Sequence, residues 1–111
     1  VQFGKPIGTF QSINFLLADM AAAVDASRLL TWYAASRADN GLPFAREAAQ
    51  AKLFASDTAM DVTTNAVQVH GGYGYTKEFM VEKLMRDAKL TQIYEGTNQV
   101  NRIVAGGALM R

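Results

Sequence analysis

The sequence predicts an all-α protein, an antiparallel up-and-down helical bundle, on three observations. Apolar residues recur every three or four positions over long stretches, which is the period of an α-helix with one buried face. The only two prolines, Pro6 and Pro43, lie where such stretches begin or end. The one segment with strand propensity, around Ile93 and Tyr94, is too short to build a sheet alone.

The first helix is expected to be long. It follows an extended lead-in over residues 1–8, takes Thr9 as its N-cap, and ends near Asn40 and Gly41, because Pro43 prevents its continuation. Its inward face is predicted from an apolar stripe at helical spacing, which consists of Phe10, Ile13, Leu17, Met20, Val24, Ser27, Leu30 and Thr31.

A second helix is predicted over residues 44–70, a third over residues 80–89, and a last helix begins after Thr97 as its N-cap. A short connection between the first two makes them an antiparallel hairpin. Small residues line one face of the second helix and allow a neighbouring helix to approach closely; they are Ala48, Ala51, Ala55, Thr58, Val62 and Ala66.

Composition excludes several classes of function. Eleven basic and ten acidic residues leave a net charge of +1, without the basic excess of a module that binds nucleic acid or an anionic membrane. The absence of cysteine excludes disulfides and thiolate chemistry, and the single histidine, His70, excludes a multi-histidine metal centre. No apolar run approaches the ~20 residues of a membrane span. The usual dependence of accessible surface on molecular mass predicts about 6,000 Å² for the folded chain, so that about two-thirds of the unfolded chain's surface is buried.

One candidate site lies at the end of the second helix. Residues 68–75 contain three glycines within four positions, which permits a close approach of the backbone to a ligand. A helix C-cap followed by a tight turn would explain the same pattern, and a histidine such as His70 is favourable at the negative end of a helix dipole. The residues alone leave both interpretations open.

The second candidate site is centred on Glu95. A carboxylate shielded by Ile93 and Tyr94 would be desolvated, which makes it a better general base. Gly96 leaves room for a substrate, and the helix that opens at Thr97 presents free N–H groups able to hold a phosphate. The alternative is a surface glutamate that happens to precede a capped helix.

Four ordered motifs and the opening of the chain resemble the acyl-CoA dehydrogenase family. MRDAKLTQIYEGTNQ at 85–99 resembles its C-terminal signature, and AVQVHGGYGY at 66–75, AKLFAS at 51–56 and LADMA at 17–21 match in the same order. QFGKPI at 2–7 resembles the start of the family's C-terminal domain. The resemblance therefore implies a single domain, residues 1–111, from the C-terminal third of a larger flavoenzyme, without its N-terminal helical and middle β-domains.

The resemblance implies FAD-dependent oxidation of an acyl-CoA thioester to the trans-2-enoyl-CoA. Glu95, in the Tyr-Glu-Gly-Thr motif, would take the α-proton while FAD takes the β-hydride, and Gly96 would lie beside the acyl chain. Contacts with FAD would come from the start of the last helix and, across a subunit interface, from the hairpin end; these residues are Thr97, Asn98, Gln99, Gln11, Gln68, Val69, His70, Gly71 and Gly72.

The resemblance also implies partners. Electron-transfer flavoprotein would accept the electrons, and the protein would form a homo-oligomer (a dimer or tetramer). The sequences of the motifs are most similar to those of the short-chain, butyryl-CoA type. The location would be the cytoplasm in a bacterium or the mitochondrial matrix in a eukaryote. The sequence departs from the family at Met80, where proline is usual, and the family's FAD-contacting arginine would precede Val1. Two alternatives remain, an acyl-CoA oxidase and a non-catalytic oligomerisation module, and the chain by itself is expected to be inactive.

Overall fold

The computed structural model describes residues 1–110, so Arg111, the last residue of the predicted domain, lies outside the described part. The chain forms four helices joined by short connections, and no strand forms within the described residues. The prediction of an all-α antiparallel bundle is confirmed. The helices are α1 (Gln11–Asp39), α2 (Ala45–His70), α3 (Val81–Thr91) and α4 (Asn98–Leu109), and 3-10 turns occupy Ile7–Thr9 and Gly71–Tyr75.

The short connection after α1 makes α1 and α2 an antiparallel hairpin, and ionic contacts secure its closed end. Arg37 Nε donates to the carbonyl of Pro43 at 2.8 Å, and the carboxylate of Glu47 lies between Arg46 (2.7 Å) and Arg37 (3.5 Å). Glu47 is buried in the first turn of α2. A hydrogen bond from its own backbone amide lowers the pKa of Glu47, and the two arginines lower it further against the opposing effect of burial.

Helix α2 is the centre of the bundle, since α1, α3 and α4 all pack against it. Its small-residue face turns inward as predicted: Ala51 and Thr58 are buried, and the rest of that stripe is half-buried. Close helix approach follows from these small side chains. The buried apolar residues are all alanines, namely Ala34, Ala49, Ala51, Ala88 and Ala105, and no large side chain within residues 1–110 is fully buried.

The start of α1 differs from the prediction. Thr9 is not the N-cap, because it ends a 3-10 turn in which its hydroxyl donates to the carbonyl of Pro6 at 2.7 Å. Phe10 takes the cap position without a side-chain hydrogen bond. The lead-in is also not extended, since Phe3 and Gly4 have φ of +53° and +73° and form a tight turn.

The described chain exposes more surface than the sequence predicts. Its accessible area is 7845 Å², against the ~6,000 Å² expected for a compact monomer of this mass. The bundle is elongated, 57 × 25 × 24 Å, because α1 packs along α2 without reaching α3 or α4. Leu17 and Val24, predicted to face the core, are therefore about two-fifths exposed (41% and 38%), and Trp32 is 61% exposed.

Within residues 1–110, no helix has both the length and the apolar character needed to cross a membrane.

The turn after α2 allows a paired test of this packing. A Cβ added at Gly74 would lie 2.6 Å from Cβ of His70 and 2.8 Å from the carbonyl oxygen of Val67, both in the last turns of α2. Gly74→Ala should therefore destabilise the protein by about 1–3 kcal/mol in urea denaturation. Gly72→Ala, with no atom within 4 Å of the added Cβ, is the matched control and should stay within ~0.5 kcal/mol. Equal effects of the two substitutions would contradict the close contact.

Candidate active site

Glu95 lies in the connection between α3 and α4, in an uncommon backbone conformation. Its φ is +53° and that of Gly96 is +87°. The left-handed region is sterically unfavourable for a residue with a side chain and costs roughly 1–2 kcal/mol. Such a conformation persists only where neighbouring groups hold it, and it occurs often at functional sites.

Hydrogen bonds hold this connection at both of its ends. The carbonyl of Gly96 accepts from Lys52 Nζ at 2.7 Å and from Asn101 Nδ2 at 2.9 Å. The carbonyl of Gln92 accepts from the backbone N–H of Asn98 at 3.1 Å. The backbone is therefore fixed on either side of Glu95.

Asn98 attaches this connection to α2 and is only 4% exposed. Its Oδ1 accepts from Lys52 Nζ at 2.9 Å, while its Nδ2 donates to Ser56 Oγ at 2.8 Å and to Asp57 Oδ1 at 2.7 Å. The side-chain amide and the backbone N–H are both used within the chain. The side chain of Asn98 therefore has a structural role, and its contact with a cofactor stays a prediction.

Lys52, Ser56 and Asp57, here called the α2 clamp, all bond to this connection or to Asn98. Lys52 and Ser56 share one face of α2 because they are four positions apart, and Asp57 follows Ser56 at the edge of that face. Asp57 also accepts from Gln92 Nε2 at 2.7 Å and from Arg102 at 3.2 Å. Sequence reasoning assigned no role to the clamp, although 51–56 was one of the family-like motifs. A signal was present: these three are polar residues inside an alanine-rich stretch, and buried polar groups require partners.

Thr97 is the N-cap of α4, as predicted, since its Oγ1 accepts from the N–H of Val100 at 3.3 Å. Gln99 is exposed in the first turn of α4. Because a helix N-terminus carries partial positive charge, and within residues 1–110 the N–H of Gln99 is not bonded to a neighbouring carbonyl as those of Asn98 and Asn101 are, this end suits an anionic or carbonyl-bearing ligand. Contacts of Thr97 and Gln99 with a cofactor stay predictions.

Glu95 is exposed and borders an open pocket of about 240 Å³. The prediction that Ile93 and Tyr94 desolvate the carboxylate is wrong for this chain, because these side chains are themselves 53% and 51% exposed. The described residues leave Glu95 open to solvent. The lining residues are Lys52, Ala55, Ser56, Ala59, Thr91, Tyr94 and Glu95.

The second candidate site lies at the open end of the hairpin. Gln68, His70, Gly71 and Gly72 are exposed and Val69 is half-buried. Gly71 has φ +63°, and open space surrounds both glycines. The Nδ1 atom of His70 is 2.8 Å from the carbonyl of Ala66, so Nδ1 carries a proton and Nε2 faces outward from this contact.

The two sites lie far apart in one chain. Asp57, beside the Glu95 connection, and His70 are separated by thirteen helical residues, which is about 20 Å along α2. Gln11, exposed at the start of α1, belongs to the His70 end because α1 and α2 are antiparallel. A single copy therefore does not bring the Glu95 group and the hairpin-end group to one reacting centre.

The residues fit a large polar cofactor such as FAD. The amide side chains of Gln11, Gln68 and Gln99 are exposed, the backbone at Gly71 is unobstructed, and the start of α4 offers the backbone N–H of Gln99. These groups match the phosphates, hydroxyls and ring edges of a dinucleotide. Among residues 1–110 no cluster of three or more acidic or histidine side chains is arranged to hold a metal ion.

Known proteins match this chain over all of its described residues. Residues 1–110 match the family model for the acyl-CoA dehydrogenase C-terminal domain. The chain is 59% identical to the short-chain-specific acyl-CoA dehydrogenase of Megasphaera elsdenii, over 100% of this chain and 29% of that protein. The structure of butyryl-CoA dehydrogenase from Megasphaera elsdenii matches with a TM-score of 0.97 at 58% identity, over 100% of this chain and 29% of that one.

A chain in the structure described as the electron transferring flavoprotein of Acidaminococcus fermentans matches with a TM-score of 0.98 at 55% identity, over 100% of this chain and 29% of that one. The chain therefore spans about 29% of the length of the relatives it matches. The family resemblance deduced from the motifs is confirmed by these matches. The chain belongs to the acyl-CoA dehydrogenase family as its C-terminal domain, and it resembles the short-chain, butyryl-CoA type.

Proposed function

We propose that residues 1–111 are the C-terminal helical domain of a larger flavoenzyme that oxidises a short-chain acyl-CoA thioester to the trans-2-enoyl-CoA. The observation that carries the proposal is the placement of Glu95. Its backbone is held in the left-handed region, and its carboxylate borders an open pocket. A carboxylate fixed in this way next to space for a substrate is suited to remove a proton.

Glu95 is the proposed base, and it takes the α-proton of the thioester. That proton is weakly acidic, so the carboxylate gains basicity when the bound acyl chain displaces water from it. Gly96 leaves space beside the base, and a backbone N–H next to Glu95 polarises the thioester carbonyl. When bound, FAD supplies the oxidant that accepts the β-hydride.

The cofactor contacts divide between two copies of the chain. Thr97 and Gln99 would hold the FAD that serves Glu95 of the same copy. Gln11 and residues 68–72 would contact the FAD of a neighbouring copy, a division that the ~20 Å separation along α2 supports. Electron-transfer flavoprotein is the proposed electron acceptor, in keeping with the match to a chain of the Acidaminococcus fermentans structure.

Replacement of the base separates catalysis from binding. In the full-length flavoenzyme, Glu95→Gln should lower butyryl-CoA oxidation by 10⁴-fold or more, because the amide accepts no proton at neutral pH. Bound flavin should be unchanged in the absorbance spectrum, and acyl-CoA affinity should stay within about tenfold. Gln68→Ala is the contrasting variant and should mainly weaken retention of FAD. Retention of more than about a tenth of the turnover by Glu95→Gln would mean that another carboxylate is the base.

Self-association of this domain is a second expectation. Its 7845 Å² of accessible surface exceeds the ~6,000 Å² of a compact monomer of this mass, and the large apolar residues Phe15, Leu29 and Trp32 are exposed on α1. Sedimentation velocity should therefore show a dimer or tetramer, because symmetric copies would cover this face. A stable monomer at tens of micromolar would contradict the expectation.

A further inference from the structure

We propose that Lys52 is a positioning residue for the base: it fixes the peptide unit between Gly96 and Thr97, one residue beyond Glu95, and thereby sets the carboxylate at the substrate's α-carbon. The inference rests on the proposed dehydrogenation and extends it to a residue on α2. Lys52 acts through Gly96 and Asn98, whose oxygens lie 2.7 Å and 2.9 Å from its ammonium nitrogen.

The two bonds control the part of the backbone that has the least intrinsic restraint. Gly96 has no side chain, and at φ +87° its peptide unit rotates with little steric resistance. One ammonium group holds its carbonyl and, two residues later, the side chain of Asn98. Without that group, the connection that carries Glu95, with its strained φ of +53°, would lose the only charged hydrogen-bond donor that its backbone has within the described residues.

The clamp and Asn98 form one connected network of hydrogen bonds. The side chain of Asn98 has partners at both its oxygen and its nitrogen, and Asp57 accepts from three residues. No buried side-chain polar atom within the described residues lacks a partner. A fully satisfied polar network favours one arrangement over its alternatives. Lys52 is therefore held by a rigid helix and transmits that rigidity to the base.

Asn101 is a secondary restraint on the same carbonyl. Its Nδ2 donates to Gly96 at 2.9 Å and to the carbonyl of Thr97 at 3.1 Å. It carries no charge, and a charge-assisted bond such as that from Lys52 is roughly twice as strong as a neutral one. The structure therefore predicts a graded series, in which loss of Lys52 affects the base more than loss of Asn101.

The test uses the full-length flavoenzyme and three substitutions. Lys52→Met removes both bonds while it keeps the length of the side chain, and Lys52→Arg restores a cation with several donors. Lys83→Met is the matched control, since it removes one exposed lysine that pairs with Asp87 on α3. The readouts are kcat and KM for butyryl-CoA, flavin absorbance, thermal midpoint, and amide hydrogen exchange of residues 92–97.

Lys52→Met should lower kcat by about 10–100-fold, since a misplacement near 1 Å costs up to ~10²-fold, while KM changes less than about threefold. Amide exchange in residues 92–97 should become faster, flavin content should stay constant, and Lys52→Arg should recover kcat to within about tenfold of the parent. Lys83→Met should leave all readouts unchanged. A kcat above half of the parent value in Lys52→Met, or unchanged amide exchange, would overturn the proposal.

Two further outcomes keep the test decisive. If Lys52→Met does not fold, Lys52→Gln replaces it, since the shorter neutral amide loses the charged bonds: a fall in kcat of about 3–10-fold at constant KM supports positioning, and an unchanged kcat overturns it. If the parent protein does not oxidise acyl-CoA, the proposed function fails. In that case faster amide exchange in Lys52→Met still supports the restraint by Lys52, and unchanged exchange overturns it.

Discussion

The arrangement of the site depends on a few short polar contacts between one face of α2 and the connection that carries Glu95. Lys52 holds the carbonyl of Gly96, and Ser56 and Asp57 hold the buried amide of Asn98. These contacts keep Glu95 in a backbone conformation that a glutamate rarely adopts. Short-range sequence preferences do not favour that conformation, so it has to be imposed by tertiary structure.

The same helix explains why much of the described chain's surface is exposed. The buried apolar residues are alanines, which let α1, α3 and α4 approach α2 closely but bury little apolar area. Large side chains such as Trp32 remain on the surface, and Glu95 faces an uncovered pocket. Close packing around α2 thus positions the polar groups, while the outer side of α1 and the pocket beside Glu95 stay exposed in the single copy.

Sequence reasoning predicted the helices well and the polar network poorly. Helical periodicity and the turn residues located all four helices, and the cap at Thr97 followed from its residue type. The cap at Thr9 failed because Pro6 directs its hydroxyl into a 3-10 turn. The exposure of Glu95 and the contacts of Asn98 were not predictable from spacing, because they depend on which residues of α2 meet a loop more than forty positions away.

A crystal structure of the full-length flavoenzyme with FAD and an unreactive acyl-CoA analogue would test most directly whether Glu95 is the base and Lys52 positions it. It should place a carboxylate oxygen of Glu95 within about 3–3.5 Å of the analogue's α-carbon, the separation of a near-attack arrangement. The ammonium of Lys52 should remain bonded to the carbonyl of Gly96. A different carboxylate beside the α-carbon, or Glu95 in place with Lys52 detached from Gly96, would contradict the account.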